Sequence, residues 1–475
     1  MKKRLLFLLI IILGIYIAGL FFIKYQVKNE IEKHPELIYD DVSVGFLGEI
    51  EINGVNYDSK TVNFRDGEID LNLDFLSFIN GKQKTINGVK LSHTNIEIFN
   101  QKKDSVKPPD NTSVDLIIKK LQFENVNLKI HQTNEAIEIE ELNFKINNIA
   151  SFDDFEIKQV EQLYFSGLKY PINHLQAIQL GALSFKNKIG KLNEIRILPL
   201  LTKENYSNSV EKETDLIDLK ITSMDFNIED FKILEGEINE LILDHVALDS
   251  MVLEVYRDKT LPDDKSIKRS YAQQLKDMNY KFALHQLVLK NAKVIYGEKH
   301  IEEKDYALIT FDDLGVELDS ISNYNSNFAR LKSQSSLNEN SELKLFITYD
   351  LNANQSTFDA KIEARNINAK AFSEMLKHSQ KKDVDGKILK LSTEFQSRNN
   401  SSSGDFNIEA TDLKITLYND QFEEKKILSF LANNIIKDSI NKSFEIKDVQ
   451  KDPAKSFWNY LWAYIKEGLK MALLK

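Results

Sequence analysis

Cysteine is absent from this 475-residue sequence, and proline and glycine are scarce, with 7 and 17 residues. The absence of cysteine excludes disulfides, thiolate metal sites and cysteine nucleophiles. The scarcity of proline and glycine predicts long elements punctuated by other polar residues. A basic excess is also missing, because the net charge is −10. This charge argues against a nucleic-acid partner, which needs a positively charged surface.

Catalytic motifs are missing as well. The sequence contains no G-x-S-x-G, G-x-x-x-x-G-K-[ST], H-E-x-x-H or G-x-G-x-x-G pattern. The eight histidines are scattered, and His93 and His245 occupy equivalent positions of a strand pattern described below. We therefore predict that the protein is not an enzyme and has no catalytic residues, no metal site and no cofactor.

The longest apolar run lies at the N-terminus, from Leu5 to Ile23. As a helix it would span about 28 Å, close to one bilayer core. The alternative is a cleaved signal peptide, but its apolar region is usually shorter. We predict a cytoplasmic tip and single transmembrane anchor over residues 1–24, followed by a stalk over 25–41. The basic residues before the run place the N-terminus in the cytoplasm and the body outside it.

From residue 42 onward, apolar and polar residues alternate over most of the chain. This period of two predicts a mostly β protein with antiparallel strands and one solvated face. Helical spacing is confined to a few segments, one opening near Ser266 and one near Asn368, which we predict to be N-caps. The predicted organisation is a β region over 42–256, a loop and amphipathic helix over 257–281, a second β region over 282–420 and a helical segment over 421–475.

One apolar pattern recurs with a step of three in its middle. Between His285 and Glu298 its members are Leu287, Leu289, Ala292, Val294 and Tyr296. The same spacing describes, fully or in part, residues 89–98, 121–130, 163–170 and 241–248. Self-similar units of this kind predict an elongated repeat architecture. The odd step predicts either a β-bulge within one strand or a tight turn between two strands.

Three segments resemble modules of the AsmA-like family, which includes AsmA and TamB. In Ile69 to Phe99 a Phe-containing turn and a Gly-Lys pair precede an alternating strand, and Asn227 to Tyr256 is a second copy. Asp383 to Tyr418 contains a strand that leaves a glycine, a polar loop and the closing strand "DLKITL". The resemblance implies an antiparallel β-groove or β-taco fold, an inner-membrane anchor and a periplasmic body. It also implies lipid transport in cell-envelope and outer-membrane biogenesis.

If the fold is a groove, its apolar wall would bind an acyl chain without any specific polar ligand. The ordinary alternative is a closed sheet core. The candidate groove residues are Ile96, Ile98, Leu121, Phe123, Leu128, Ile130, Leu241, Leu243, Leu287, Leu289, Val294 and Tyr296.

The C-terminal segment carries an apolar stripe with aromatic and basic neighbours. This composition is typical of a helix that contacts a membrane or a partner, and the alternative is a lid on the sheet. The candidate residues are Phe457, Trp458, Leu461, Tyr464, Ile465 and Leu469. The expected partners are the membrane and a phospholipid or other acyl lipid. The second hypothesis is an envelope scaffold that holds a periplasmic or outer-membrane protein.

Overall fold

The computed structural model describes residues 21, 24–25, 27–29, 31–45, 49–74, 77, 84–99, 116–131, 136–150, 153–301, 305–429 and 439–474. As predicted, the protein is mostly β, with 65% of the described residues in strands and 14% in helices. The predicted membrane anchor, Leu5 to Ile23, lies outside the described residues except for Phe21. No helix in the described part of the chain is long and apolar enough to cross a membrane.

The described strands alternate between apolar and polar residues along most of their length. They are β1 (Leu37–Ile38), β2 (Asp41–Val44), β3 (Glu49–Asp58), β4 (Val62–Leu73), β5 (Lys84–Ser92), β6 (Asn95–Phe99), β7 (Leu116–His131), β8 (Ala136–Ile149), β9 (Phe155–Glu156), β10 (Val160–Pro171), β11 (Gln176–Lys186), β12 (Ile189–Pro199), β13 (Asp215–Leu234), β14 (Glu237–Asp258), β15 (Lys281–Lys299), β16 (Ala307–Ser322), β17 (Phe328–Ser336), β18 (Glu342–Asp350), β19 (Phe358–Asn368), β20 (Lys382–Arg398), β21 (Ser401–Leu417) and β22 (Ser439–Gln450).

The α-helices with described bounds are α1 (Lys203–Ser207), α2 (Tyr271–Lys276), α3 (Ser373–Gln380) and α4 (Phe457–Leu474). The predicted N-cap at Ser266 is wrong. Helix α2 begins after Ser270, which forms a reciprocal capping box with Gln273, whereas the hydroxyl of Ser266 donates to Asp264. The predicted cap at Asn368 is confirmed, since its side chain accepts from Lys370 N at the start of a 3-10 turn that leads into α3.

We predicted a helical segment over 421–475, and this prediction is wrong for part of the segment. It contains β22 before α4, because "SINKSFEIKDVQ" alternates with period two and pairs along β21. Within the stalk region, helical residues continue to Ile31 and strand β1 begins at Leu37.

The chain forms two compact units, and it passes between them within residues 172–239. The first unit comprises Met1–Pro171, Ile178–Leu192 and Asp230–Ile238. Strand β3 pairs with β4, and β4 pairs with both β5 and β6. Strands β5 and β6 both pair with β7 on its other side, β7 pairs with β8, and β8 pairs with β10.

The second unit comprises Ile172–Ala177, Asn193–Glu229 and Asn239–Lys475. Strands β14 and β15 run parallel there, and an antiparallel meander continues from β15 to β22.

The sheet is mixed, so the prediction of an antiparallel sheet is confirmed only in part. Parallel pairs are β5–β7 and β6–β7 in the first unit and β14–β15 in the second. A parallel pair needs a crossover of about a dozen residues or more. In the second unit, residues 259–280 provide this crossover between β14 and β15. Apolar and polar residues alternate in the same way whether the neighbouring strand is parallel or antiparallel, so this pattern could not predict the strand directions.

The recurring step of three is a β-bulge and not a turn. Strands β7 and β15 continue through it, with Asn125 at φ 53° and Asn291 at φ 54°. In β7, Glu124 and Asn125 lie between Phe123 and Val126, whereas in β8 only one residue lies between their partners Phe144 and Leu142. The extra residue is accommodated by the left-handed backbone, which asparagine tolerates better than most residues. Apolar residues before and after the bulge therefore share one face.

Other copies of the pattern behave in two ways. His93, between β5 and β6, and Gly167, in β10, are also left-handed, with φ 50° and 66°. The copy predicted at 241–248 has no left-handed residue, and the one in β14 is Ser250 instead. Ser250 lies beside Asn291, because Asp249 pairs with Lys290 and Val252 with Lys293. The sequence match at 241–248 therefore does not coincide with the bulge of β14, which lies at Ser250.

Candidate functional site: the apolar face of the sheet

Four rows of apolar side chains cross the first unit on one face of its sheet. Each row joins residues that stand opposite one another on neighbouring strands, so its side chains are cross-strand neighbours. The rows are Ile52–Ile69–Leu91–Phe123–Phe144–Leu163, Ile50–Leu71–Val89–Leu121–Ile146–Val160, Phe64–Ile96–Leu128–Ile139 and Val62–Ile98–Ile130–Ile137. All members are large and apolar, and none can titrate.

The opposite face of the same strands is polar. One row on it reads Glu51–Asp70–Lys90–Gln122–Lys145–Gln162. Cross-strand ion pairs connect neighbouring strands, such as Lys90 with Glu124 at 2.7 Å. The hydrogen bond from Lys90 lowers the pKa of Glu124, so this carboxylate stays charged at neutral pH. This face is suited to water, and the two faces differ completely in chemistry.

Burial of the apolar rows is uneven across the first unit. Ile50, Ile52 and Phe64 are buried. They form a cluster with Val27 and Ile31, which precede the first strand. Farther along the rows, Leu121, Phe123, Leu128 and Ile130 are only partly buried. The six candidate groove residues of this unit, Ile96, Ile98, Leu121, Phe123, Leu128 and Ile130, all lie in the rows and all remain partly exposed.

In the second unit, helix α4 covers the corresponding apolar face of β18 to β22. The ring of Tyr464 stacks on Phe395 with a centroid distance of 3.9 Å, and Phe457 meets Phe358 at 5.0 Å. Gly468 lies directly over the buried ring of Phe406, where an added Cβ would stand 2.3 Å from a ring carbon. Burial raises the pKa of Tyr464 to about 12, so its hydroxyl stays neutral at physiological pH.

A small polar cluster fixes α4 to the sheet. The hydroxyls of Ser397 and Ser402, both inaccessible to solvent, lie 3.1 Å and 2.5 Å from the hydroxyl of Tyr460. At the far end of the helix, Lys442 Nζ donates to the carbonyl oxygen of Ala472 over 2.6 Å. A lysine at this position satisfies a terminal carbonyl and complements the helix dipole.

The six remaining groove candidates lie in the second unit and have diverse surroundings. Leu241 and Leu243 stand beside Phe282 and Leu284 of β15, while Leu287 and Leu289 stand beside Val246 and Leu248 of β14. Leu289 is buried, with 7% of its surface exposed, and acts as core. Val294 is partly exposed opposite Phe311. The hydroxyl of Tyr296 donates to Glu298 over 2.6 Å, so its side chain ends in a polar environment.

Tyr296 belongs to a cluster of partly buried polar groups that the sequence reasoning missed. Arg257 makes two hydrogen bonds of 2.7 Å and 2.6 Å to Asp215, and His300 lies 2.8 Å from Glu298. Burial raises the pKa of Tyr296 above its ordinary value. The sequence feature that could have indicated this cluster is the run of charged and aromatic residues at the ends of β14 and β15. It was missed because such a run resembles an ordinary polar strand end. Satisfied ion pairs of this kind fix the register of neighbouring strands.

The candidate residues of the C-terminal helix divide between its two sides. Leu461 and Tyr464 are buried, and Phe457, Ile465 and Leu469 pack on the same core. This is the lid arrangement that the sequence left as an alternative. Trp458 is the exception, with 51% of its surface exposed. Trp462, absent from the candidate set, is 40% exposed.

No group of three or more His, Asp or Glu side chains converges on a possible metal position in the described part of the chain. The apolar face of the first unit is therefore the best candidate site, with chemistry that fits a hydrocarbon chain. No family model matches this sequence, and no curated protein matches it either.

Proposed function

We propose that the apolar face of the first unit binds lipid acyl chains, as the resemblance to AsmA-like proteins implies. In this proposal residues 5–23 anchor the protein in the inner membrane, and the body lies in the periplasm. The protein then contributes to the lipid homeostasis of the cell envelope. The observation that carries the proposal is the set of four apolar rows, whose members on β5 to β10 remain partly exposed except for the buried Ile146.

The dimensions of the rows support this proposal. Neighbouring strands lie about 4.8 Å apart, so a row over six strands is about 24 Å long. One leaflet of a bilayer has a hydrocarbon thickness of about 15 Å. An extended acyl chain can therefore lie along a row for its whole length. Each CH₂ group that leaves water contributes about 0.8 kcal/mol, so affinity requires no polar ligand.

The test compares two neighbouring residues of β7 that face opposite sides. The full chain is purified in mild detergent, and co-purifying lipids are quantified by mass spectrometry. Phe123→Asp places a charge in an apolar row, and we expect about a fivefold or greater loss of bound lipid, because a bound acyl chain would cover an unpaired carboxylate, which is strongly unfavourable. Gln122→Asp introduces the same charge on the polar face and serves as the matched control, with lipid content unchanged.

Photo-crosslinking in cells separates the proposal from the scaffold hypothesis. A photoreactive residue at Leu128 should form lipid adducts, whereas one at Lys129, on the opposite face, should not. A single protein adduct at Leu128, without lipid, would favour the scaffold. Absence of lipid from the wild-type chain after lipid challenge would contradict acyl-chain binding.

A further inference from the structure

The outer side of α4 carries a regular stripe of four residues. Trp458, Trp462, Lys466 and Lys470 follow one another at intervals of four, so they lie above one another on one helix face. All four are exposed, while the opposite face of the helix is packed on the sheet. We call these four residues the outer stripe.

The outer stripe contains the two tryptophans of the whole chain. Both are exposed in a helix whose other aromatic rings are buried or partly buried. They are also held in place by neighbours. The ring of Trp462 stacks on Phe372 with a centroid distance of 6.2 Å, and Trp458 meets Phe457 edge to face at 5.4 Å. Exposed aromatic rings fixed in this way form a prepared contact surface.

The lower half of the outer stripe is basic, although the chain as a whole is acidic. Lys470 lies 3.3 Å from Glu467. Among the described residues, no carboxylate lies within ion-pair distance of Lys466. The stripe therefore presents two indole rings followed by two ammonium groups, one of which is free to meet an external anion.

We propose that the outer stripe docks on an anionic lipid surface. Tryptophan prefers the boundary between hydrocarbon and headgroups, where its ring is buried and its N–H stays hydrated. Lysine beside it meets the phosphates of anionic lipids. A protein partner fits less well, because lysine is depleted in the cores of protein interfaces. This docking surface is separate from the acyl-chain site of the first unit.

The two tryptophans make the test direct, because all tryptophan fluorescence of the protein comes from the outer stripe. The full chain in an amphipathic polymer is mixed with two kinds of vesicle. One kind is phosphatidylcholine alone, and the other contains about 30% phosphatidylglycerol as the anionic lipid. Lipids with brominated acyl chains quench an indole only when it reaches the membrane. We expect blue-shifted emission and quenching with the anionic vesicles, and little change with neutral ones.

Charge variants identify the contribution of the lysines. Lys466→Gln with Lys470→Gln should weaken the quenching-derived affinity about 30-fold, since each lysine near an anionic membrane contributes about a fivefold increase in affinity. The matched control removes two lysines of β15, Lys290→Gln with Lys293→Gln, and should leave the affinity unchanged. Single-tryptophan variants, Trp458→Phe and Trp462→Phe, should each retain quenching of the remaining indole.

Three results would overturn this docking proposal. They are no quenching by anionic vesicles, equal quenching by neutral vesicles, and equal effects of the two lysine pairs. None of these three results depends on lipid bound in the first unit, because the readout is confined to α4. Loss of co-purifying lipid in Phe123→Asp should therefore leave vesicle quenching intact, which separates the two proposals.

Discussion

The apolar faces of the two units differ in what lies against them. In the first unit the rows through β5, β6 and β7 consist of isoleucine, leucine, valine and phenylalanine, and many of them are partly exposed. In the second unit the rows through β18 to β21 include Ala360, Thr393, Ser397, Ser402 and Gly404, and α4 lies on them. Small residues lower the surface locally, so that aromatic rings of the helix fit between the larger ones.

This difference teaches that alternation alone does not distinguish a closed core from an accessible face. Both units have the same period of two, and both carry left-handed bulges that keep apolar residues together. The distinguishing feature is the size of the residues on the apolar face. Uniformly large residues leave a smooth wall, whereas interspersed Ala, Gly, Ser and Thr indicate a face that receives a helix.

The largest expected effect is the loss of stability when one phenylalanine in each apolar face is replaced by alanine, which compares the two faces directly. Phe406→Ala in the second unit should lower the free energy of unfolding by about 3–5 kcal/mol, because the ring is fully buried under α4. Phe123→Ala in the first unit should cost less than half of this in lipid-free protein, since its ring is already partly exposed.

Hydrogen exchange measured separately for peptides of each unit is the appropriate readout for these two variants, because a chain with two units need not unfold in one step. Equal losses in the two units would show that the first face is as closed as the second.

A smaller effect tests how closely α4 approaches the sheet. In an exposed helix, glycine to alanine stabilises by about 1 kcal/mol. Gly468→Ala should instead destabilise the second unit by about 1–3 kcal/mol, because the new methyl group meets the buried ring of Phe406. Denaturant unfolding followed by tryptophan fluorescence reports on α4 directly. Ala463→Gly, within the same helix, provides the ordinary propensity effect for comparison, and a stabilised Gly468→Ala would disprove the close packing.

The smallest effect concerns the bulge that keeps the rows of the first unit aligned. Asn125 is exposed and left-handed, so Asn125→Val should cost about 1–2 kcal/mol through backbone strain. Asn125→Gly should be nearly neutral, because glycine adopts this conformation without strain. Hydrogen exchange of β7 and β8 measures the difference. Equal behaviour of the two variants would mean that the bulge does not depend on the backbone angle of residue 125.

Much of the local structure was predictable because it depends on neighbouring residues. Period-two alternation located the strands, and the step of three located the bulges at Asn125 and Asn291. The cap at Asn368 was predictable for the same reason. The cap at Ser270 was missed in favour of Ser266, because both serines precede a helical pattern and only Ser270 has a glutamine three residues later.

The sequence by itself determined that this protein is mostly β, that its strands have one apolar and one polar face, and that the apolar face continues through each bulge. These properties follow from side-chain polarity and from backbone angles within a few residues. Only the tertiary structure decided which strands run parallel, which apolar face is covered by α4 and which tryptophans point outward. Those outcomes depend on contacts between segments far apart in the chain, and a local pattern contains no information about its distant partner.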